Sequence, residues 1–254
     1  MPATVHASRR RLAALAATAL LCPLAAQAEF PERPITVVVP YPPGGAADTL
    51  GRVVARHLQA QMPGSTVVVE NKAGAGTAVA AQAVAQAAPD GYTLLPSSNT
   101  TWTMNPALKA KLAYDTLKSF EAIGTIGSIP LMLVAHPSAP FNSVKELVAH
   151  AKANPGKLNY ASFGAGTSSH FAGEMFKTAA GLDIVHVPYK GSAPAMQDLI
   201  GGQVPLSFDT NIASVPQMKA GKIKALAVTT SKRISNAPEV PTLAESGLPG
   251  FELS

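Results

Sequence analysis

Short, continuously apolar runs recur along this chain, each closed by a Gly/Pro/Ser turn and followed by a helical pattern. The runs lie at 35–39, 66–70, 92–95, 131–135, 158–162, 184–187, 206–208 and 225–228. A strand wet on one face alternates apolar and polar residues. Most of these runs do not alternate, so they predict strands covered on both faces of a mainly parallel sheet. Between them, helical spacing of small and apolar residues predicts helices over 47–61, 77–87, 144–153, 168–180 and 193–200. Strand and helix in alternation define an α/β fold.

The N-terminus has a different character. Arg9, Arg10 and Arg11 precede an apolar stretch from Leu12 to Leu24, and Ala26-Gln27-Ala28 follows as a small-x-small site. That is the layout of a secretory signal peptide over 1–28, and its apolar core is too short to span a bilayer. Ser8-Arg9-Arg10 also fits a twin-arginine signal in part. Removing 28 of 254 residues leaves 226, and takes away three arginines and no acid. The formal charge then falls from +5 to +2, so the basic balance belongs partly to the leader and a nucleic-acid partner loses its main support. Cys22 is the chain's one cysteine and leaves with the leader. An exported chain of this size builds its core without disulfides. The expected location is the periplasm.

Three strand ends carry glycine turns that open helices. The first run leads into Pro40-Tyr41-Pro42-Pro43-Gly44-Gly45-Ala46-Ala47-Asp48. Prolines stiffen this turn, its glycines permit close approach, and the free N–H groups of the following helix form an anion site. The same segment also reads as a tight βα turn in which Asp48 caps its own helix. Asn71–Thr77 and Phe163–His170 repeat the theme, and each fails the dinucleotide fingerprint at its third glycine, where Val79 and Ser169 stand. No cofactor is therefore expected.

The catalytic patterns are weaker still. The chain has neither a Walker loop nor a GxSxG elbow. Ser168, Ser169 and His170 invite a triad with Asp209, but neighbours on a helix project about 100° apart. The histidines outside the leader (His57, His136, His150, His170 and His186) are scattered, with no HxxxH pair, so no metal site is expected and each reads as a packed or solvated side chain. Segments 41–48, 97–103, 162–170 and 208–213 hold Gly, Ser, Thr, Asn and Asp but no Lys or Arg. A site built from them suits a carboxylate held by N–H and hydroxyl donors and ordered water. An exported hydrolase or lyase acting on a small carboxylic acid is the alternative from another class.

Seven motifs in order resemble a known family. They are Val-Pro-Tyr-Pro-Pro-Gly-Gly at 39–45 with Asp48, Val-Glu-Asn-Lys-Ala-Gly-Ala-Gly at 69–76, Pro-Asp-Gly-Tyr-Thr-Leu-Leu at 89–95 and Phe-Gly-Ala-Gly-Thr-Ser-Ser-His at 163–170, then His-Val-Pro-Tyr-Lys-Gly at 186–191, Gly-Gly-Gln-Val at 201–204 with Phe208-Asp209, and Pro-Glu-Val-Pro-Thr at 238–242. Together they resemble the Bug proteins, substrate-binding receptors of tripartite tricarboxylate transporters. The resemblance implies a two-lobed type II periplasmic-binding-protein fold closing over a small carboxylate, with no catalysis. It implies as partners the membrane transporter subunits or a sensor, and a monomeric state when complete. By position it puts Tyr41, Pro43, Gly44, Gly45, Ala46 and Asp48 on the first-lobe turn, with Ser98 and Asn99 behind. Gly166, Thr167 and Ser168 face them from the second lobe, with Phe208 and Asp209 beside. Crossings near 127–130 and 229–235 would give a first lobe of 29–128 and 230–254 and a second of 129–229. The family chain normally continues past Phe251, so the first lobe is expected to be incomplete and less stable than in a full-length relative.

Overall fold

The computed structural model describes residues 30–253, so the predicted leader lies outside the described residues. Two sheets organise these residues. The smaller contains β1 (Ile35–Val39) flanked by β2 (Val67–Asn71) and β3 (Thr93–Leu94), all parallel. Helix α1 (Ala46–Gln61) joins β1 to β2, and α2 (Ala78–Ala85) joins β2 to β3. After β3 come a π-helical turn, Thr100–Met104, and the short α3 (Asn105–Leu108). Val37, Val39 and Ala55 form this sheet's buried core.

The larger sheet is built from β4 (Leu131–Ala135), β5 (Asn159–Ser162), β6 (Val185–Pro188), β7 (Leu206–Thr210) and β8 (Lys224–Val228), in the order β6-β5-β7-β4-β8. Its helices are α4 (Val144–Ala153), α5 (Ser168–Ala180), α6 (Ser192–Ile200) and α7 (Asn211–Lys219). Pleating sends alternate side chains of β4 to opposite faces. Leu131, Leu133 and Ala135 join Phe141, Leu147, Phe176 and Phe208 on one face. Met132 and Val134 join Leu199, Val215 and Val228 on the other. Both faces are buried, which is why β4 reads as a continuous apolar run.

The expected mainly parallel order holds for four of the six strand pairings among the described residues, and three details go beyond the expectations or against them. The larger sheet is mixed, because β4 runs antiparallel to both β7 and β8, whereas β5 is parallel to β6 and to β7. Continuous burial specifies a covered strand but not its direction. Helix α7 has no counterpart among the expected helices. Pro216 lies inside it and argues for a break, but the Thr210 side chain accepts from Ala213 N at 3.3 Å and caps its start. Finally, the chain after β8, expected with the smaller sheet, packs on the larger one. Leu243 and Phe251 enter one core of the larger sheet, and Ile234, Ala237 and Val240 the other. Thr242 bridges to Val228, and Leu253 N donates to Thr229 O at 2.9 Å. From Arg33 on, the chain forms one compact unit.

Candidate functional site

Helix starts from the two sheets meet at the turn after β1. A β-carbon added to Gly45 would stand 3.7 Å from Cβ of Ser192, and one on Gly44 would stand 3.8 Å from Cβ of Ala193. One on Gly191 would lie 3.0 Å from Cγ and Cδ of Pro42. Tyr41 packs edge-on against Phe163 of the larger sheet, with ring centroids 6.0 Å apart. Ser168 N, at the start of α5, donates to Thr100 Oγ1 at 3.3 Å. Ser98 lies in the same corner, its hydroxyl 3.5 Å from that of Tyr41. The starts of α1, α5 and α6 are thus brought to one junction between the sheets.

These three starts share a second property. Neither Gly45, Thr167 nor Gly191 supplies a side-chain cap to the helix it precedes. Thr77 likewise gives α2 no side-chain cap, whereas Ser143 caps α4 and Thr210 caps α7. The first N–H groups of a helix without a side-chain cap carry the positive end of the helix dipole and need partners from outside the helix, as Ser168 N finds in Thr100 Oγ1. Such a start attracts an anion without a basic side chain.

The expected site residues divide into those on the surface of this junction and those beneath it. Tyr41, Pro43, Gly44, Ser98, Asn99, Gly166 and Ser168 keep some exposure, while Ala46 is buried and so is Gly45, which faces Ser192. Asp48 lies below. Its Oδ2 accepts from Gly44 N and Arg52 Nε, both at 3.0 Å, and its Oδ1 accepts from Asn71 Nδ2 at 2.9 Å. Burial works to raise this carboxyl's pKa, but the bonds from Arg52, Gly44 and Asn71 outweigh it and hold it below the usual range. Asn71 Nδ2 also donates to Tyr41 O at 2.9 Å, so this pair fastens the turn from behind.

On the other side, Phe208 is wholly buried, edge-on to Tyr160 at 6.1 Å and near Phe176 at 5.8 Å. Its ring is core, not lining. Thr167 spends its hydroxyl proton on Gly164 O at 2.6 Å. Asp209 is fully buried. Its Oδ1 accepts from Ser192 Oγ and Thr210 N, both at 2.7 Å, and its Oδ2 has no partner among the described residues. Burial dominates here and raises its pKa to about 7. Asp209 therefore orients Ser192 at the start of α6. Gly191 and Ser192 were not among the expected site residues. The signal was present, since Tyr189-Lys190-Gly191-Ser192 is another strand end passing through glycine into a helix.

The triad elements are engaged elsewhere. Ser169 Oγ donates to Phe208 O at 2.5 Å, and Nδ1 of His170 accepts from Gly166 N at 3.2 Å. The histidines are less scattered in space than in sequence, because His170 and His186 stack with centroids 4.0 Å apart. Among the described residues no group of three or more His, Cys, Asp or Glu is placed to hold a metal. Two open hollows lie beside Arg52 and Val67 and beside Leu112 and Ser119; Thr49, which lines the first, donates its hydroxyl to Gly45 O at 3.1 Å.

The model of the tripartite tricarboxylate transporter family receptor matches residues 50–254. Protein BugT of Bordetella pertussis (strain Tohama I) is 38% identical over 241 residues, covering 94% of this chain and 73% of that protein. Among solved structures, R. palustris Rpa4515 with adipate aligns with a TM-score of 0.86 at 37% identity, over 89% of this chain and 75% of that one. MatC from Rhodopseudomonas palustris with bound malate aligns with a TM-score of 0.82 at 36% identity, over 88% and 76%. Matching in family model, sequence and fold, the chain belongs to the tripartite tricarboxylate transporter receptor family.

Proposed function

We propose that this protein is a periplasmic receptor that captures a small organic carboxylate at the junction of α1, α5 and α6, and delivers it to a membrane transporter or a sensor. One observation carries the reading: three helix starts without side-chain caps converge between two sheets. Relatives of the same fold hold adipate and malate, both dicarboxylates. Export through the 1–28 leader is part of the same proposal. A receptor needs no nucleophile, and Ser169, His170 and Asp209 are bound to other partners.

Titration calorimetry with malate and adipate, each at low and physiological ionic strength, tests the proposal. Donors fixed in the backbone give an affinity that falls only mildly with salt, unlike a cluster of charged side chains. A tenfold loss over that range, a preference for a cationic ligand, or release of a product from the bound acid would each overturn it.

A further inference from the structure

Behind the turn that leads into α5 lies a group of titratable side chains that the binding reading does not use. To accept from Gly166 N, Nδ1 of His170 must carry no proton, which makes the ring neutral with its proton on Nε2. That Nε2 lies 4.0 Å from Glu174 Oε1, one helical turn along. His186 stacks between His170 and Tyr160, its centroid 5.1 Å from the phenol ring. Its Nε2 is 2.6 Å from Ser162 Oγ, and that hydroxyl accepts from Gly164 N and donates to Gly164 O, both at 3.2 Å, which leaves His186 as the donor to it. The two imidazoles thus hold both ends of one turn, His170 at Gly166 and His186 through Ser162 at Gly164. That turn needs holding. Gly164 and Gly166 have φ of 144° and 75°, conformations that glycine enters and leaves freely because it has no Cβ, so the turn's shape depends on its hydrogen bonds.

We propose that His170 and His186 are positioning residues, a neutral imidazole pair that keeps the 163–167 turn in its anion-binding shape, so that protonation of the pair releases the turn and weakens ligand binding. A proton on His170 Nδ1 would abolish the acceptor that Gly166 N–H uses. Two imidazolium rings stacked at 4.0 Å would also repel each other.

The charged and titratable groups facing the pair come from three elements. From α5, Glu174 favours the protonated rings and Lys177 disfavours them; Lys177 Nζ lies 3.0 Å from both Glu174 oxygens. From β5, the Tyr160 phenol donates to Glu174 Oε1 at 2.7 Å and occupies one of the oxygens that would otherwise attract a proton to the rings. From β6 comes His186 itself. Burial is the largest influence and lowers the pKa of both histidines, that of His186 to about 4, with the neighbouring His170 adding to the effect. The clamp is therefore closed at neutral pH, and because burial holds both rings below the ordinary histidine value of about 6.5, it opens only on acidification well below that value.

This inference rests on the reading of the 163–167 turn as part of a carboxylate site, so its test has two arms. In the ligand-free protein, nuclear magnetic resonance should show the Gly166 amide shifting with the same midpoint as the His170 ring protons, and His170→Asn should abolish that inflection. Asn keeps an acceptor without titrating. In the second arm, the affinity of the wild type for malate should fall between pH 7.5 and 4 at least threefold more than that of His170→Asn, which shares any change in malate itself. His170→Ala, lacking the acceptor, should bind malate more weakly at both pH values. A Gly166 amide indifferent to His170 overturns the clamp whatever the ligand does. An amide that follows His170, with identical pH profiles for malate in wild type and His170→Asn, overturns the link from clamp to binding. No binding of malate or adipate at any pH counts against the carboxylate reading instead, and the amide alone then decides the clamp.

Discussion

Asp48, in the first turn of α1, and Asp209, near the end of β7, are buried carboxylates whose surroundings drive them in opposite directions. Asp48 accepts from a guanidinium, an amide side chain and a backbone N–H, and stays ionised. Asp209 has two hydroxyls and one N–H on a single oxygen, with burial raising its pKa to about 7. A folded-state pKa above the unfolded value of about 3.9 gives stability that is present below the lower value and lost as pH rises through the higher. Asp209→Asn removes that titration. The melting temperature of the variant relative to the wild type should therefore be higher at pH 8 than at pH 5, as measured by calorimetry. An equal difference at the two pH values would mean that Asp209 titrates alike in folded and unfolded chains. Both acids were legible in the sequence as residues near the site, but their orientation was not. Residue type places a carboxyl near the site, and only packing decides whether it meets solvent or the backbone behind. Phe208 failed for a related reason, since β7 is buried on both faces and its apolar run does not say which side chain lines a cleft.

At the scale of elements, helix starts divide by what caps them. Ser143 accepts from Glu146 N at 3.2 Å, and Glu146 Oε2 in return accepts from Asn142 N at 2.7 Å, which closes the first turn of α4 on itself. Ser143→Ala should cost about 1 kcal/mol in denaturant unfolding and leave malate binding unchanged. Gly45→Val should do the reverse. Gly45 has φ of −88°, where valine is unstrained, but its branches would push into Ser192 across the junction. A loss of malate affinity of tenfold or more with near-normal unfolding is the expected result. Comparable effects of the two variants on affinity would show that cap chemistry does not distinguish the site. Because caps and glycine turns are local, the sequence placed α1, α4 and α5 to within a residue of their observed bounds. Strand direction is not local, and neither is the tertiary packing that tolerates Pro216 in α7, so β4 and α7 escaped the same reasoning.

Across the whole molecule, the larger sheet gathers residues from Leu131 to Leu253, and the smaller sheet meets it through short, glycine-bearing turns. The apolar character of Leu243 and Phe251 showed that they must be buried, but a pattern along one chain does not name the surface that buries them. Contact between the sheets is tightest where Pro42 meets Gly191. With φ of 126° and only 3.0 Å between a prospective β-carbon and the proline ring, Gly191 has both a conformational and a steric reason to be glycine. The two reasons predict different behaviour. Gly191→Ala should weaken malate binding tenfold or more, because the added carbon keeps the turns of α1 and α6 apart. If the contact with Pro42 is the cause, adding Pro42→Ala removes the ring carbons that the new methyl group would strike, and part of the affinity should return in the double variant. If backbone strain at residue 191 is the cause, Pro42→Ala restores nothing and the melting temperature falls equally in the single and double variants. Small-angle scattering with and without malate supplies the companion measurement. Closure over ligand should compact the wild type, fail in Gly191→Ala and recover in the double variant; a scattering curve unchanged by malate in all three would show that the sheets do not move when the site fills.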